Sequence, residues 1–222
     1  MICSLSGIRV VTDPSRPSSQ PDFWDVRYER EDHLFGTGPN EFVKAEAHRL
    51  PRESDVVELG AGEGRTCAWL AHERSHTATA VDFSDEALST ARAWAQEHAL
   101  PLDTIRADVR SWRPDRRWDA AVVSFLQLLP NERPRVYRLL RKIVRPGGWI
   151  LAEWFRPDHL NGEYERMGPS SPDRMVPADE VRSAFTDETI VECVSADVHL
   201  REGPLLNGPA AVVRAIVRRA ET

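Results

Sequence analysis

The sequence predicts an α/β protein: a largely parallel sheet with helices on both faces, closed by an antiparallel strand pair. Three observations carry this. From Asp55 onward, short runs of β-branched and small apolar residues alternate with helix-length segments, the pattern of parallel strands joined by crossover helices. The run Val56-Val57-Glu58-Leu59 ends in Gly60-Ala61-Gly62-Glu63-Gly64-Arg65, a glycine-rich turn between a buried strand and a helix. Finally, two long strand-like runs, Thr189 to Arg201 and Ala210 to Arg219, follow each other with no helix between them and so should pair antiparallel.

Length and charge narrow the function. The 222 residues suit one domain with a full core. The apolar runs are too short to span a bilayer, so no membrane partner is expected. A net charge of -6 argues against a nucleic-acid partner. Cys3, Cys67 and Cys193 are scattered, with no C-x-x-C pair; neither a disulfide framework nor a metal site is expected, and the reducing cytoplasm is the expected compartment.

In chain order, residues 1–21 include Pro14-Ser15-Arg16-Pro17-Ser18-Ser19-Gln20-Pro21, too polar to fold alone and expected to be a disordered tail. Residues 22–222 form the domain, with 22–50 as an N-terminal cap segment. That segment carries the aromatic cluster Phe23-Trp24-Asp25-Val26-Arg27-Tyr28 and a helix from Glu41 to Leu50 capped by Asn40. Strands are expected at Asp55–Leu59, Thr77–Asp82, Leu102–Ala107, Trp118–Ser124 and Trp149–Trp154. Ser84 caps a helix with Asp85 and Glu86 in its first turn, where carboxylates suit the dipole. Its buried face is Ala87, Leu88, Ala91, Trp94, Ala95 and His98. The helix Glu132 to Val144 tolerates Pro134 in its first turn, and Pro146-Gly147-Gly148 should stop it. Residues 156–177 are a long polar loop, of the kind that serves function. A short helix, Ala178 to Phe185, then precedes the terminal strands.

The glycine turn admits two nucleotide-binding readings. A dinucleotide site wants a third glycine at position 65, where close helix packing needs it; Arg65 is bulky and charged, which argues against a dehydrogenase. The pattern Glu58-x-Gly60-x-Gly62-x-Gly64 instead resembles motif I of class I S-adenosyl-L-methionine (SAM) methyltransferases. Asp82 ends the second strand, eighteen residues after Gly64, where an open α/β sheet places an acid that accepts from ribose hydroxyls. An ordinary acid at a helix start is the plainer account, but Ser84 already supplies that cap.

The resemblance implies a Rossmann-like, doubly wound seven-stranded sheet of order 3-2-1-4-5-7-6 with the last strand antiparallel. It also implies site roles. Glu58 and the Gly60 carbonyl would hold the cofactor's amino end, with Gly62 in the same turn. Phe83 would lie beside the adenine, Asp108 would accept from its amino group, and the Val109 N–H would donate to the ring. Ser124 opens the stretch Ser124-Phe125-Leu126-Gln127 where the methyl group faces the acceptor. That stretch lacks the Asn/Asp-Pro-Pro-Tyr/Phe signature of enzymes that methylate amino nitrogens of bases. Gln127 and His199 are the candidate catalytic residues.

Outside the core, Trp24-Asp25-Val26-Arg27-Tyr28 and Gly36-Thr37-Gly38-Pro39-Asn40-Glu41-Phe42 resemble the N-terminal pattern of the tellurite-resistance and thiopurine methyltransferase-like group. Trp24, Arg27 and Tyr28, with the 156–177 loop, are expected to close over the cofactor, Arg27 forking the cofactor carboxylate. No convincing general base is evident, since His199 and Glu153 each have a plainer structural account. The acceptor is therefore expected to be a small soft nucleophile of sulfur, selenium or tellurium. The alternatives are a small-molecule O- or N-methyltransferase of secondary metabolism and a non-catalytic SAM-binding protein.

Overall fold

A computed structural model describes residues 18–29, 33–161, 164 and 167–221. Most of the expected tail, residues 1–17, lies outside the described residues, as do positions 162–163 and 165–166 of the long loop.

Seven strands form one sheet in the order β3-β2-β1-β4-β5-β7-β6. They are β1 Asp55–Leu59, β2 Thr77–Asp82, β3 Leu102–Arg106, β4 Trp118–Ser124, β5 Val144–Phe155, β6 Thr189–Gly203 and β7 Leu206–Arg218. β1 to β5 pair in parallel, and β7 runs antiparallel to both β5 and β6. The helices are α1 Pro21–Tyr28, α2 Glu41–Glu46, α3 Arg65–Arg74, α4 Asp85–Glu97, α5 Arg133–Ile143 and α6 Ala178–Ala184.

Side-chain alternation along the strands explains why both faces are covered. Val57, Leu59, Ala121, Val123, Ile150, Ala152, Val213 and Ala215 point to one face, against Val136, Leu140 and Ile143 of α5 and Val181 of α6. Val56, Ala120, Val122, Leu151 and Ile216 point to the other, against Phe42 and Val43 of α2 and Leu70 of α3. Leu140 is fully buried, so truncating it to alanine would cost about 2–5 kcal/mol.

The expected caps form: the Asn40 Oδ1 accepts from the Val43 N–H at 2.9 Å, and the Ser84 Oγ from the Ala87 N–H at 3.1 Å. Several boundaries differ from expectation, β7 beginning at Leu206 rather than Ala210 among them. The last turn of the 41–50 helix tightens into a 3₁₀ turn, Ala47–Arg49. β5 begins at Val144 rather than Trp149, because Pro146-Gly147-Gly148 forms a bulge inside the strand: Trp118 pairs with Val144, and Ala120 with Trp149. The bulge persists because the Gly147 N–H donates to the Arg219 carbonyl at 3.1 Å and the Gly148 carbonyl accepts from the Arg219 N–H at 2.8 Å.

Candidate active site

The glycine turn lies at the C-terminal edge of β1, held against β2. The N–H groups of Gly60 and Ala61 both donate to the Val81 carbonyl, at 2.8 and 3.1 Å. Gly62 has φ +55°, and a Cβ there would fall 2.7 Å from the Tyr28 hydroxyl; only glycine leaves this space open. Gly64 answers a packing need instead, since a Cβ on it would lie 2.8 Å from the Ala91 Cβ of α4. Position 65 therefore need not be small. The Arg65 side chain leaves the strand–helix contact and ion-pairs with Glu202 of β6, while its Nη1 donates to the Gly38 carbonyl at 2.7 Å.

A single cleft opens over this turn. Glu58, Gly60, Gly62, Asp82, Phe83, Asp108, Val109, Ser124, Gln127 and Trp24 all line it. Asp82 is buried, and its carboxylate accepts from the Gly62 N–H at 2.8 Å and the Ser84 N–H at 2.9 Å. Burial pushes its pKa up, against the pull of those backbone donors. Asp82 thus shapes the glycine turn as well as facing the cleft.

Glu58 is 2 % exposed and receives the Cys67 thiol at 3.3 Å. Burial pushes its carboxyl up to about 7, although Arg65 and the Cys67 and Ser124 side chains draw it down. A buried carboxylate served by donors this weak is short of a cation.

Asp108 is arranged differently. Burial acts to raise its pKa, but the Arg110 bonds prevail and hold it below the usual carboxylate range. Arg110 Nε lies 2.8 Å from Oδ1 and Nη2 lies 2.7 Å from Oδ2. The same guanidinium reaches Glu132 at 2.8 Å and the Ser19 carbonyl at 2.7 Å, and it stands 6.0 Å from the Phe83 ring centroid. Arg110 lines the cleft and was not singled out from sequence, because an arginine in an Asp/Arg-rich loop carries no distinguishing pattern.

The roof comes from the N-terminal segment. Trp24 and Tyr28, one turn apart on α1, stack at 6.1 Å, and Phe35 packs on both at 6.3 and 6.4 Å. Ser84 Oγ donates to Asp25 at 2.5 Å, docking α1 on the start of α4. Ser18 and Ser19 also line the cleft; the Ser18 carbonyl accepts from the Trp24 indole at 2.9 Å, and Ser19 Oγ from Arg174 at 3.0 Å. These last residues of the expected tail are therefore part of the site. Burial, reinforced by the charges of Asp82 and Glu63, raises the Tyr28 phenol well above its usual value, so it acts as a hydrogen-bond donor.

Away from the carboxylates the cleft is apolar: Phe35, Phe125, Leu126, Leu128, Phe155 and Leu206 line it, with Gln127 among them. Phe125 has φ +55° at the end of β4, a conformation bulky residues avoid. Its N–H donates to the Glu153 carbonyl at 2.8 Å, and its ring packs 4.8 Å from that of Phe155.

Two expected site residues do not line the cleft. His199 is exposed on the edge strand β6, opposite Pro209. The strand's alternation turns position 199 outward, while its neighbour Leu200 is buried. Arg27 folds back on its own helix, its Nη1 donating to the Phe23 carbonyl at 2.6 Å and its guanidinium 3.4 Å from the Phe23 ring centroid. At position i+4 on α1 that partner is nearer than the cleft. Glu153 is fully buried behind the cleft, bonded to Asn40 Nδ2 and Arg214 Nε at 2.6 and 2.7 Å.

Residues 56–148 match the model of the methyltransferase domain family. No curated protein matches the chain. Among solved structures, the chain is similar to one described as "Conversion of a Disulfide Bond into a Thioacetal Group during Echinomycin Biosynthesis", with 20 % identity, 91 % of this chain and 94 % of that one covered, and a TM-score of 0.70. TehB from Haemophilus influenzae aligns at 16 % identity over 90 % of this chain and 66 % of that one, with a TM-score of 0.67. The N-methyltransferase NodS from Bradyrhizobium japonicum WM9, in complex with S-adenosyl-L-homocysteine (SAH), aligns at 17 % identity over 88 % and 96 %, with a TM-score of 0.61.

The stretch that matches the methyltransferase domain model runs from β1 into β5 of this Rossmann-like sheet and includes the glycine turn beneath the cleft. The residues present fit SAM: a buried carboxylate at Glu58 that among the described residues has no ion-pair partner within contact, a second carboxylate at the next strand end in Asp82, and an aromatic face at Phe83.

Proposed function

We propose that this enzyme transfers the methyl group of SAM to a small, largely apolar acceptor through a soft sulfur atom. In this reading Glu58 receives the cofactor's ammonium, Asp82 the ribose hydroxyls, and Phe83 with the Asp108–Arg110 pair the adenine. Tyr28 and Arg65, rather than Arg27, supply donors beside the methionine portion. SAM brings a methyl already activated on a sulfonium. The chain's own residues therefore hold the acceptor in line and exclude water, an effect worth up to roughly 7–11 kcal/mol.

The acceptor end of the cleft carries this reading. Its walls are Phe35, Phe125, Leu126, Leu128, Phe155 and Leu206, and among the described residues no histidine lines it. The cleft carboxylates cluster around the glycine turn and Asp108, and Glu153 is held by Asn40 and Arg214. An alcohol or protonated amine needs its proton taken by a positioned base; a thiolate does not. The cations on the wall, Arg65 and Arg110, are tied to carboxylates, which disfavours a bare selenium or tellurium oxyanion against an organic sulfur. The thioacetal chemistry named for the first structure above, and the resemblance to the thiopurine group, support the same choice. A reducing, cytoplasmic setting would keep such a thiol available.

Competition among aryl thiols, alkyl thiols, tellurite, catechols and amines for labelled SAM tests the reading. Thiols are expected to take most of the label. Preferential methylation of amines or catechols would overturn it in favour of an N- or O-methyltransferase, and SAH binding without any transfer would favour a SAM-binding protein.

A further inference from the structure

Outside the cleft, a depression on the flank of α5 is walled by Arg113, Arg135, Arg138 and Lys142 around Leu139, and among the described residues no carboxylate lines it. Arg135, Arg138 and Lys142 stand at i, i+3 and i+7, which places all three on one face of the helix. Arg113 enters from the connection between β3 and β4, where its Nη1 donates to the carbonyls of Ser111 at 3.0 Å and Trp112 at 2.7 Å. All four side chains are exposed. Neighbouring cations are neutralised: Arg133 by Glu180, Arg141 by Asp187, Arg116 by Asp55 and Arg145 by Asp119. Among the described residues these four have no such partner. Four like charges thus converge on one concavity of a chain whose net charge is -6, an arrangement that repels itself until an anion enters.

We propose that this depression binds a small anion carrying adjacent phosphate groups, of the diphosphate class. Guanidinium forks match phosphate oxygens in pairs, and a lysine adds a point charge. Size sets the class: at 1.5 Å per residue, Arg135 to Lys142 spans about 10 Å of helix, enough for two linked phosphates and too short for an extended strand. An extended nucleic acid or an anionic bilayer would also meet the protein's surplus of acidic residues. The site is separate from the cleft. Arg113 precedes the N-terminal end of β4 and Lys142 precedes the start of β5, whereas the cleft opens at the strands' C-terminal edge. The assignment therefore does not depend on the methyl acceptor.

Calorimetric titration of the full chain with pyrophosphate tests it, with orthophosphate and phosphatidylglycerol vesicles as comparison arms and R135Q/R138Q as the variant. Pyrophosphate is expected to bind about tenfold more tightly than orthophosphate, to weaken as salt is raised, and to lose about tenfold in affinity in the variant. The variant should keep wild-type SAH binding and melting temperature. Undetectable pyrophosphate binding, an affinity unchanged by the double substitution, or binding to vesicles alone would each overturn the proposal.

Discussion

Glu202, near the tip of the terminal hairpin, is ion-paired with Arg65, the first residue of the helix that follows the glycine turn. The pair belongs to a larger buried web. Asn40 Nδ2 donates to both Glu153 and Glu202, at 2.6 and 3.1 Å, and the Glu41 N–H donates to Glu202 at 3.0 Å. The N-terminal cap, the helix after the glycine turn, β5 and the hairpin are thereby fastened at one point. A cleft wall built from segments far apart in sequence keeps its shape through this junction.

Arg65→Ala leaves the fully buried Glu202 side chain without its cation. The expected loss is about 3–5 kcal/mol of stability, measured by urea denaturation, together with weaker SAH binding because the glycine turn loses its anchor. A change below 1 kcal/mol, roughly what an exposed pair is worth, would refute the junction role.

Glu58 sets a pH dependence. Its folded value is about 7 against 4.5 as the ordinary value, so the cofactor-free folded state holds a proton that the unfolded chain releases. Stability from this group is present below about pH 4.5 and is lost as pH rises towards 7. Glu58→Gln should therefore raise the stability of the cofactor-free protein at pH 8 by as much as about 3 kcal/mol, at 1.36 kcal/mol per unit. SAH binding should show the opposite trend, strengthening from pH 6 to pH 8 in the wild type and remaining weak and flat in the variant. Titrations at pH 6, 7 and 8 decide the matter, and a flat wild-type profile counts against the ammonium contact.

Asp82→Ala removes the acceptor for the Gly62 and Ser84 N–H groups. Unpaired buried donors cost about 1–3 kcal/mol, and the proposed ribose contact would be lost with them. Thermal melting should fall and SAH binding should become undetectable, whereas Asp82→Asn, which keeps one acceptor oxygen, should fall between. Wild-type SAH affinity in the alanine variant would exclude the ribose role.

His199→Ala is expected to leave turnover within about twofold of wild type and stability within about 0.5 kcal/mol, as for an exposed residue away from any site. Initial rates with the best thiol acceptor check this. A loss of a hundredfold or more would return His199 to the reaction.

Much of this architecture was legible because it rests on local patterns. Alternating strand residues such as Val56 and Val57 declared the two faces, and Asn40 and Ser84 announced their caps. The cleft carboxylates Glu58, Asp82 and Asp108 were readable because each lies at or near the C-terminal end of a strand on the same sheet edge. The pattern failed where position depends on a distant partner. His199 was placed near the cleft by family likeness, yet one step in strand parity turned it outward. Arg27 had a nearer ring and carbonyl in Phe23. Arg110 and the Arg65–Glu202 pair join segments with no shared periodicity, so no spacing could show them. The β5 bulge was hidden because its Pro-Gly-Gly sequence also reads as a stop.

The Cys67 thiol sits directly behind Glu58, within reach of the carboxylate expected to hold the methyl donor. A protein that handles an alkylating agent is itself a possible target of alkylation. Burial first, and then the Glu58 charge, raise the Cys67 pKa well above that of an ordinary thiol, so the sulfur stays protonated and poorly nucleophilic. Cys193 is also buried, with its thiol turned to the Ala178 carbonyl at 3.6 Å. On the proposed function, both sulfurs would thus be withheld from self-methylation, and an incoming acceptor would meet no competing thiolate from the described part of the chain.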